Sequence, residues 1–576
     1  MRSFVEVLRD NAVYTEHAHT FVRLDGSERR ISYPDLWRFA CQRAHRFHEL
    51  GLRKGDRVAL IVPEPDAFVL AFMGALTGGL VPVPMYPPLT LAKMDAYGET
   101  VRHILRASGA KALVTTPGLE PMLKQHLVLA AGCNDVKLIL DAELEGEPEL
   151  RPVPPCDVAL DDLAFFQFTS GSTTMPKGVM VTHANLAHNA HAIMFDGLRA
   201  TSRDRGVSWL PLYHDMGLIG FVVAPIFAQV EVMFLPTMNF IRRPSSWLDA
   251  IHRYRGTITF APNFAYALAT RAVSEEQSRA WDLSCLKAMG CGAEPIHADT
   301  LRRFTERFAR SGLCAAALLP CYGLAEATLA VTFARLDVPM RVECIDPRAM
   351  ERGHAAPQRE GEGLELVGCG RPFGGHELAI RGQDGTALGE RAIGEIWARG
   401  PSITRGYFEQ PDATRESFVG GWLRTGDLGY LADGELFVCG RAKDLIIVHG
   451  KNYYPQDVER VASEVQGIRP DQCVAFARVG ADGSEECVVV AEAQKASGKA
   501  LREIASGVKQ RVRGELGLTV AEVVLIKRNT LPKTSSGKVR RRDTRARLER
   551  GELELLTERP LAQSVPAARA SNPAQV

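Results

Sequence analysis

The stretch that most limits the fold is an apolar run, residues 163–168, which stops abruptly in Thr169-Ser170-Gly171-Ser172-Thr173-Thr174-Met175-Pro176-Lys177-Gly178. The run has the length and composition of a buried strand. Residues 169–178 can neither extend that strand nor start a helix, because Gly171, Pro176 and Gly178 punctuate them. The prediction is a polar loop leaving a sheet edge. Hydroxyls, unpaired backbone N–H groups and an ammonium in one loop make a nest for a polyphosphate. It is no Walker loop, since the Gly-Lys-Ser/Thr triplet is missing. Nor is it a hydrolase elbow, because Phe168 rather than glycine lies two positions before Ser170. The alternative is a solvated Ser/Thr/Gly linker. Two later stretches end the same way, one in Gly290-Cys291-Gly292-Ala293-Glu294-Pro295 and one in Cys321-Tyr322-Gly323-Leu324-Ala325-Glu326. Ligands of open α/β sheets lie beyond the carboxyl ends of strands, so the three loops are expected to wall one site.

The surrounding pattern is an alternation of helices and strands. Residues 33–50 show helical apolar spacing, 57–62, 112–115 and 136–140 read as short buried strands, and 71–79 read as a helix ending in paired glycines. Prolines at 82, 84, 87 and 88 hold 81–88 extended. Such alternation predicts parallel sheets covered on both faces. A cap at 182–185 precedes a helix over 186–195. Residues 217–236 are the most membrane-like, but Pro225, Gln229 and Glu231 make them a buried helix followed by a strand. The pattern weakens over 336–366, and from 368 the composition becomes glycine-rich and β-like. The polar break 441–444 is the candidate hinge, centred on Lys443. Beyond it, strands over 473–477, 487–493 and 523–527 alternate with helices over 454–465, 501–516 and a basic 539–549. The expected architecture is therefore α/β: a large N-terminal domain, residues 1–440, of layered α/β subdomains plus a small β-rich subdomain. It is hinged to a small α+β domain, 441–550, and residues 551–576 are expected to be a disordered tail.

A chain of 576 residues exceeds what one core supports, which agrees with this division. Lys+Arg 69 against Asp+Glu 68 excludes nucleic-acid binding through bulk charge. Twelve cysteines without a C-x-x-C pair fit reduced thiols, and charges in the first ten residues break any signal-peptide apolar stretch. The expectation is a cytoplasmic protein with no membrane span. The pair His214-Asp215 reads as a catalytic base or as pocket lining; with no nucleophile motif beside it, lining is preferred.

The ordered set 169–178, 292–295, 322–328, Thr425-Gly426-Asp427, Gly440-Arg441 with Lys443, and Pro532 to Lys538 resembles the signature of the acyl-adenylate-forming superfamily over about residues 20–545. Within it the chain is most similar to the fatty acyl-AMP ligases. The finer likeness lies in Val83-Pro84-Met85-Tyr86-Pro87-Pro88, in 211–219 around His214, in Ala261-Pro262-Asn263-Phe264-Ala265-Tyr266 and in Gly450-Lys451-Asn452-Tyr453-Tyr454-Pro455-Gln456-Asp457. The segment 336–366 with Gly368-Cys369-Gly370-Arg371-Pro372 falls where that branch carries an extra element absent from acyl-CoA ligases.

The resemblance implies that a fatty acid and ATP become acyl-AMP and pyrophosphate, and that the acyl group then passes to a thiol. Thr169, Ser170, Gly171, Ser172, Thr173 and Lys177 would hold the phosphates, and Glu326 would hold Mg²⁺. Tyr322 and Gly323, with Gly292, Ala293 and Glu294, would frame adenine. Asp427, assisted by Arg441, would bind the ribose, and Lys538 would be catalytic. His214, Met238, Phe240 and Phe264 are candidates for the acyl pocket. The implied acceptor is an acyl carrier protein or a carrier domain of a polyketide or peptide synthase; the alternative is free coenzyme A. The basic helix either docks that acidic partner or is a solvated face.

Overall fold

The computed structural model describes residues 1–556 except Leu24 and the segments 89–93, 129–134, 146–155, 170–174, 449–450, 481–484, 495–497 and 534–538. Ser170, Gly171, Ser172, Thr173 and Lys538 thus lie outside the described residues, as does the expected tail beyond 556; its first residues, 551–556, are instead ordered, with the Leu556 N–H donating to the Leu525 carbonyl at 2.8 Å. The chain divides into two compact units, Met1–Lys443 and Asp444–Val576.

In the first unit, a nine-stranded sheet carries the site. Its centre is parallel and runs Ala18–Val22, Glu231–Phe234, Arg205–Ser208, Ile258–Ala261, Ala288–Cys291 and Leu318–Gly323, each neighbour hydrogen-bonded to the next. Antiparallel strands close both margins, Glu28–Ser32 at one side and Ala330–Phe333 with Arg371–Pro372 at the other. Parallel strands buried on both faces need continuous apolar runs, and Ile258–Ala261 and Ala288–Cys291 are buried at every position. A second, four-stranded parallel sheet contains Arg57–Ile61, Val81–Pro84, Ala112–Thr115 and Lys137–Leu140. Val81–Pro84 lies at its edge, the place where prolines that donate no ladder hydrogen bond are tolerated.

Helix boundaries follow local chemistry. Ser32 caps Tyr33–Glu49 by accepting from the Asp35 N–H at 3.3 Å, and Leu36, Ala40, Ala44 and Phe47 form the buried stripe. Thr182 and Asn185 form a reciprocal capping box that opens His183–His191. That helix stops earlier than its apolar pattern suggested, passing into a wider π-type turn over Ala192–Gly197. Residues 217–236 form helical turns and the strand Glu231–Phe234, and no helix among the described residues is long and apolar enough to cross a membrane.

Two segments differ from their sequence pattern. The run at 163–168 joins neither large sheet: Leu163–Thr169 and Lys177–Thr182 pair as an antiparallel hairpin. A connection this short can only reverse the chain, whereas a parallel neighbour needs a long crossover. The weakly patterned 336–366 is ordered as the antiparallel pair Val342–Ile345 and Leu364–Val367, with the helix Pro347–Glu351 between. Ions hold it where apolar periodicity is thin. Glu343 accepts from Arg391 at 2.9 and 3.1 Å, from Arg341 at 2.5 Å and from the Tyr430 hydroxyl at 3.1 Å, while Arg302 reaches Glu365 at 2.5 Å. Burial works against the charge of Glu343, but the guanidiniums of Arg391 and Arg341 outweigh it and hold the carboxyl below its ordinary range.

The glycine-rich region forms a five-stranded antiparallel sheet in which Trp422–Ala432 is paired by Gly394–Arg399, Phe418–Val419 and Glu435–Arg441. The second unit is α+β: Ile468–Val479, Glu485–Ala493 and Val520–Ile526 make a three-stranded sheet packed with Pro455–Ser463, Gly498–Leu516 and Arg541–Glu549. Lys443, the expected hinge, is the last residue of the first unit.

Candidate active site

One strand end supplies three of the expected site residues, Tyr322, Gly323 and Glu326. Opposite Ala330–Phe333, the register of Leu318–Gly323 shifts between Tyr322 and Gly323. A Cβ on Gly323 would stand 1.9 Å from the Leu329 carbonyl oxygen, so only glycine permits this close return of the chain. The bulge turns the backbone into the tight helical turn Ala325–Ala327, which carries Glu326. Thr328 follows at φ +70°, an unfavourable conformation for a β-branched residue. It is held there because its hydroxyl donates to the Ser402 carbonyl at 2.7 Å, while the Thr404 N–H donates to the Glu326 carbonyl at 2.9 Å. Strain held in place this way is characteristic of ligand sites.

Glu326 accepts from the Tyr407 hydroxyl at 2.7 Å. Burial pushes the Glu326 carboxyl pKa up, with the Tyr407 hydrogen bond and the Arg441 charge opposing it. Tyr407 lies beside the loop hairpin: the Met180 N–H donates to the Gly406 carbonyl at 3.1 Å and the Phe408 N–H to the Gly178 carbonyl at 2.9 Å. The Lys177 ammonium lies 4.9 Å from the Tyr407 ring centroid. A phenol thus joins the expected phosphate lysine to the expected metal carboxylate. Sequence reading missed Tyr407; the only available signal was an aromatic in a glycine-flanked polar stretch, because the contact spans 81 residues.

The nucleoside side is built similarly. The Tyr322 hydroxyl donates to Asp427 Oδ2 at 2.7 Å, and Arg441 Nε stands 3.4 Å from Oδ1. Asp427 and Arg441 are cross-strand partners in the five-stranded sheet. Burial and the neighbouring carboxylate push the Tyr322 phenol pKa well up, so it remains a donor. Gly292 lies against Cys321, where a Cβ would meet Sγ at 2.6 Å, and Ala293 turns left-handed at φ +68°. Glu294, expected beside the nucleotide, has a carboxylate that accepts from the Phe264 N–H at 2.6 Å. It thereby serves the N-terminus of Asn263–Ala272.

The four acyl-pocket candidates separate by environment. Phe240 is fully buried and stacks on Trp209 at 3.8 Å, and Phe264 meets the same indole edge-on at 6.3 Å. His214 is half-buried against Tyr213, at 5.1 Å between ring centroids, immediately before the short helix Asp215–Gly217. Met238, by contrast, is 40% exposed.

Among the described residues no group of three or more His, Cys, Asp or Glu is placed to hold a metal. A single buried carboxylate suits Mg²⁺, which binds through one or two carboxylates and takes its remaining ligands from substrate phosphates and water. Glu326 fits that requirement, since its second oxygen is not used by Tyr407.

The chain that carries this arrangement of hydroxyls, carboxylates and a lysine matches known proteins along most of its length. The model of the AMP-binding enzyme family covers residues 8–408, and that of the Disco-interacting protein 2-like AMP domain covers 443–558. The chain belongs to the AMP-binding, adenylate-forming enzyme family. Among its relatives, a putative acyl-CoA synthetase of Caulobacter vibrioides is 37% identical over 516 residues, 89% of each chain. The long-chain-fatty-acid–AMP ligase FadD26 of Mycobacterium marinum is 34% identical over 576 residues, 94% of this chain and 96% of the relative. A solved structure from a study of fatty acyl-adenylate ligases of E. coli and L. pneumophila superposes with a TM-score of 0.87 at 34% identity, covering 96% of this chain and 98% of the other.

Proposed function

We propose that this enzyme condenses a fatty acid with ATP to give fatty acyl-AMP and pyrophosphate, then passes the acyl group to the phosphopantetheine thiol of an acyl carrier protein. The observation that carries this reading is the strand end 318–326. It carries Tyr322, bonded to Asp427, which suits a nucleoside, and Glu326, bonded to Tyr407, which suits phosphates and their cation. In the first step a carboxylate oxygen attacks the α-phosphorus and the bond to pyrophosphate breaks. In the second the thiol sulfur attacks the acyl carbonyl, loses its proton and displaces AMP.

Two anions must meet in the first step, so alignment and charge neutralisation dominate. Lys177 contributes one positive charge beside the loop hairpin, and Asp427 orients the ribose while fixing the Tyr322 ring. When bound at Glu326, Mg²⁺ neutralises phosphate charge. Thr169 and residues 170–173 are assigned to the phosphates, and Lys538 to the meeting carboxylate and α-phosphate. Lys443 is assigned as the pivot that brings the small domain, 441–550, to the large one, 1–440. Phe240, Phe264 and His214 are assigned to the acyl side. The cytoplasm is the compartment that fits reduced cysteines.

The carrier-protein acceptor is favoured over coenzyme A by the element at 342–367. That ordered pair, clipped by Glu343 to Arg341, Arg391 and Tyr430, occupies the position of the extra segment that separates the two branches in the family resemblance. Incubation with ATP, Mg²⁺ and fatty acids of graded length should give acyl-AMP, and addition of holo carrier protein should consume it. Rapid thioester formation with free coenzyme A would overturn the acceptor assignment. Lys538→Ala should still bind ATP yet form no adenylate; wild-type adenylate yield from it would remove the catalytic assignment.

A further inference from the structure

The basic helix Arg541–Glu549 is the obvious place for an acidic partner to dock, but its charge is already spent. Arg541 is held by Glu459 at 2.8 Å and Asp444 at 2.7 Å, Arg545 by Glu549 at 2.8 Å, and Arg547 by Asp543 at 3.1 Å. Arg540 and Arg550, flanking it, pair with Asp543 and Glu552.

A different surface keeps its cations. The short helix Thr237–Arg242 is pinned from beneath: Phe240 is buried on Trp209, and the Thr237 hydroxyl donates to the Trp209 carbonyl at 2.9 Å. Its outer side carries Met238, 40% exposed, and Ile241, 45% exposed, with Arg242 one helical turn from Met238. Arg242 and the following Arg243 are exposed, and among the described residues neither side chain has an ion pair or hydrogen bond. Two part-exposed apolar side chains beside two arginines on a rigid base have the composition of a small contact surface, in which arginine and methionine are enriched. The patch also lies close to the site. Beneath it Trp209 meets Phe264, whose N–H is held by Glu294 next to Ala293.

We propose that Met238, Ile241, Arg242 and Arg243 form a docking surface for the acidic face of the acyl carrier protein that accepts the acyl group. This rests on the function proposed above, which requires such a partner to bring a thiol to the acyl end of the site. Charge complementarity selects the partner: unpaired arginines steer an acidic protein and fix its orientation, while the apolar pair supplies a dry contact. An anionic membrane is the poorer occupant, because stable electrostatic attachment takes clusters of roughly four to eight basic residues.

The test is the double charge reversal R242E/R243E in the full chain, assayed with a phosphopantetheinylated acidic acyl carrier protein. Pyrophosphate release with fatty acid should stay within about twofold of wild type, while KM for the carrier should rise about tenfold with kcat little changed. Wild-type transfer should weaken as salt rises from about 50 to 300 mM, and the variant should lose that dependence. An unchanged carrier KM would overturn the proposal. So would loss of binding to phosphatidylglycerol vesicles without any change in transfer, which would assign the patch to a membrane. If wild type forms no acyl-AMP, the underlying function fails instead, and the pyrophosphate assay reports that separately.

Discussion

Replacing Tyr407 by phenylalanine isolates one hydroxyl at the point where the phosphate and metal sides meet. The ring that stands 4.9 Å from the Lys177 ammonium is retained, as is the backbone bridge to Val179; the 2.7 Å donation to Glu326 disappears, together with the hydroxyl's hydrogen bond with Ser417. A hydrogen bond to a charged group contributes about 1.5–3 kcal/mol, and at 1.36 kcal/mol per tenfold that predicts a loss of about 10- to 150-fold in kcat/KM for ATP. The pH profile carries the sharper signature. Burial already pushes the Glu326 carboxyl up, and the Tyr407 hydroxyl opposes that shift by favouring the ionised form. Without it the pKa rises further, so the acid limb of adenylation moves to higher pH, since the ionised carboxylate is the form that binds a cation. Pyrophosphate release, measured from about pH 5 to 8 at several Mg²⁺ concentrations, reads both effects. An unmoved acid limb with a lowered melting temperature would make Tyr407 a packing residue and refute the reasoning.

The same geometry sets further outcomes. Gly323→Ala places a Cβ 1.9 Å from the Leu329 carbonyl oxygen, so thermal unfolding should show a loss of about 1–3 kcal/mol, with adenylation falling as Glu326 is displaced. His19 and His183 are held neutral by burial, with pKa values lowered to about 3 and about 4. The unfolded chain therefore binds the extra protons. Stability should be full above about pH 6.5 and fall below it, by up to about 1.4 kcal/mol per pH unit for each histidine until its folded pKa is reached. Denaturant midpoints against pH test this, and His19→Asn should remove one proton from the slope. Arg541→Ala strips Glu459 and Asp444 of their shared partner and should destabilise the second unit by about 2 kcal/mol. That is less than for a fully buried pair, because Arg541 keeps 24% of its side chain exposed. Arg541→Lys should recover part of the loss in the same unfolding experiment.

Much of the molecule was legible from residue pattern. The buried strands at 57–61, 112–115 and 288–291, the helix after Ser32, the capped helix after Thr182, and the β-rich region after 368 are written in local chemistry, namely apolar period, caps and glycines. The strand-end loops were legible as a candidate site because hydroxyls and acids gather there, although Gly323, Gly292 and Glu294 also serve the fold itself. What pattern could not supply was partnership. A run such as 163–168 says that it is buried, not which strand lies beside it, and its partner proved to be 177–182, which residues 406–408 bond in turn. The same holds for 342–367, whose ions find partners at positions 302, 391 and 430.

The sequence by itself determined the catalogue: which loops gather glycines, hydroxyls and acids, which stretches resemble an adenylating enzyme, and that Glu326, Asp427 and Lys177 are the charged groups to watch. Only the tertiary structure decided how those groups are held. Tyr407 grips Glu326, Tyr322 grips Asp427, Glu294 serves a helix end, and the arginines of the basic helix are paired while Arg242 and Arg243 are not. The physical reason is range. Propensity, capping and turn chemistry act over a few residues, whereas a hydrogen bond or ion pair acts over about 3 Å of space between groups that can be a hundred residues apart in the chain.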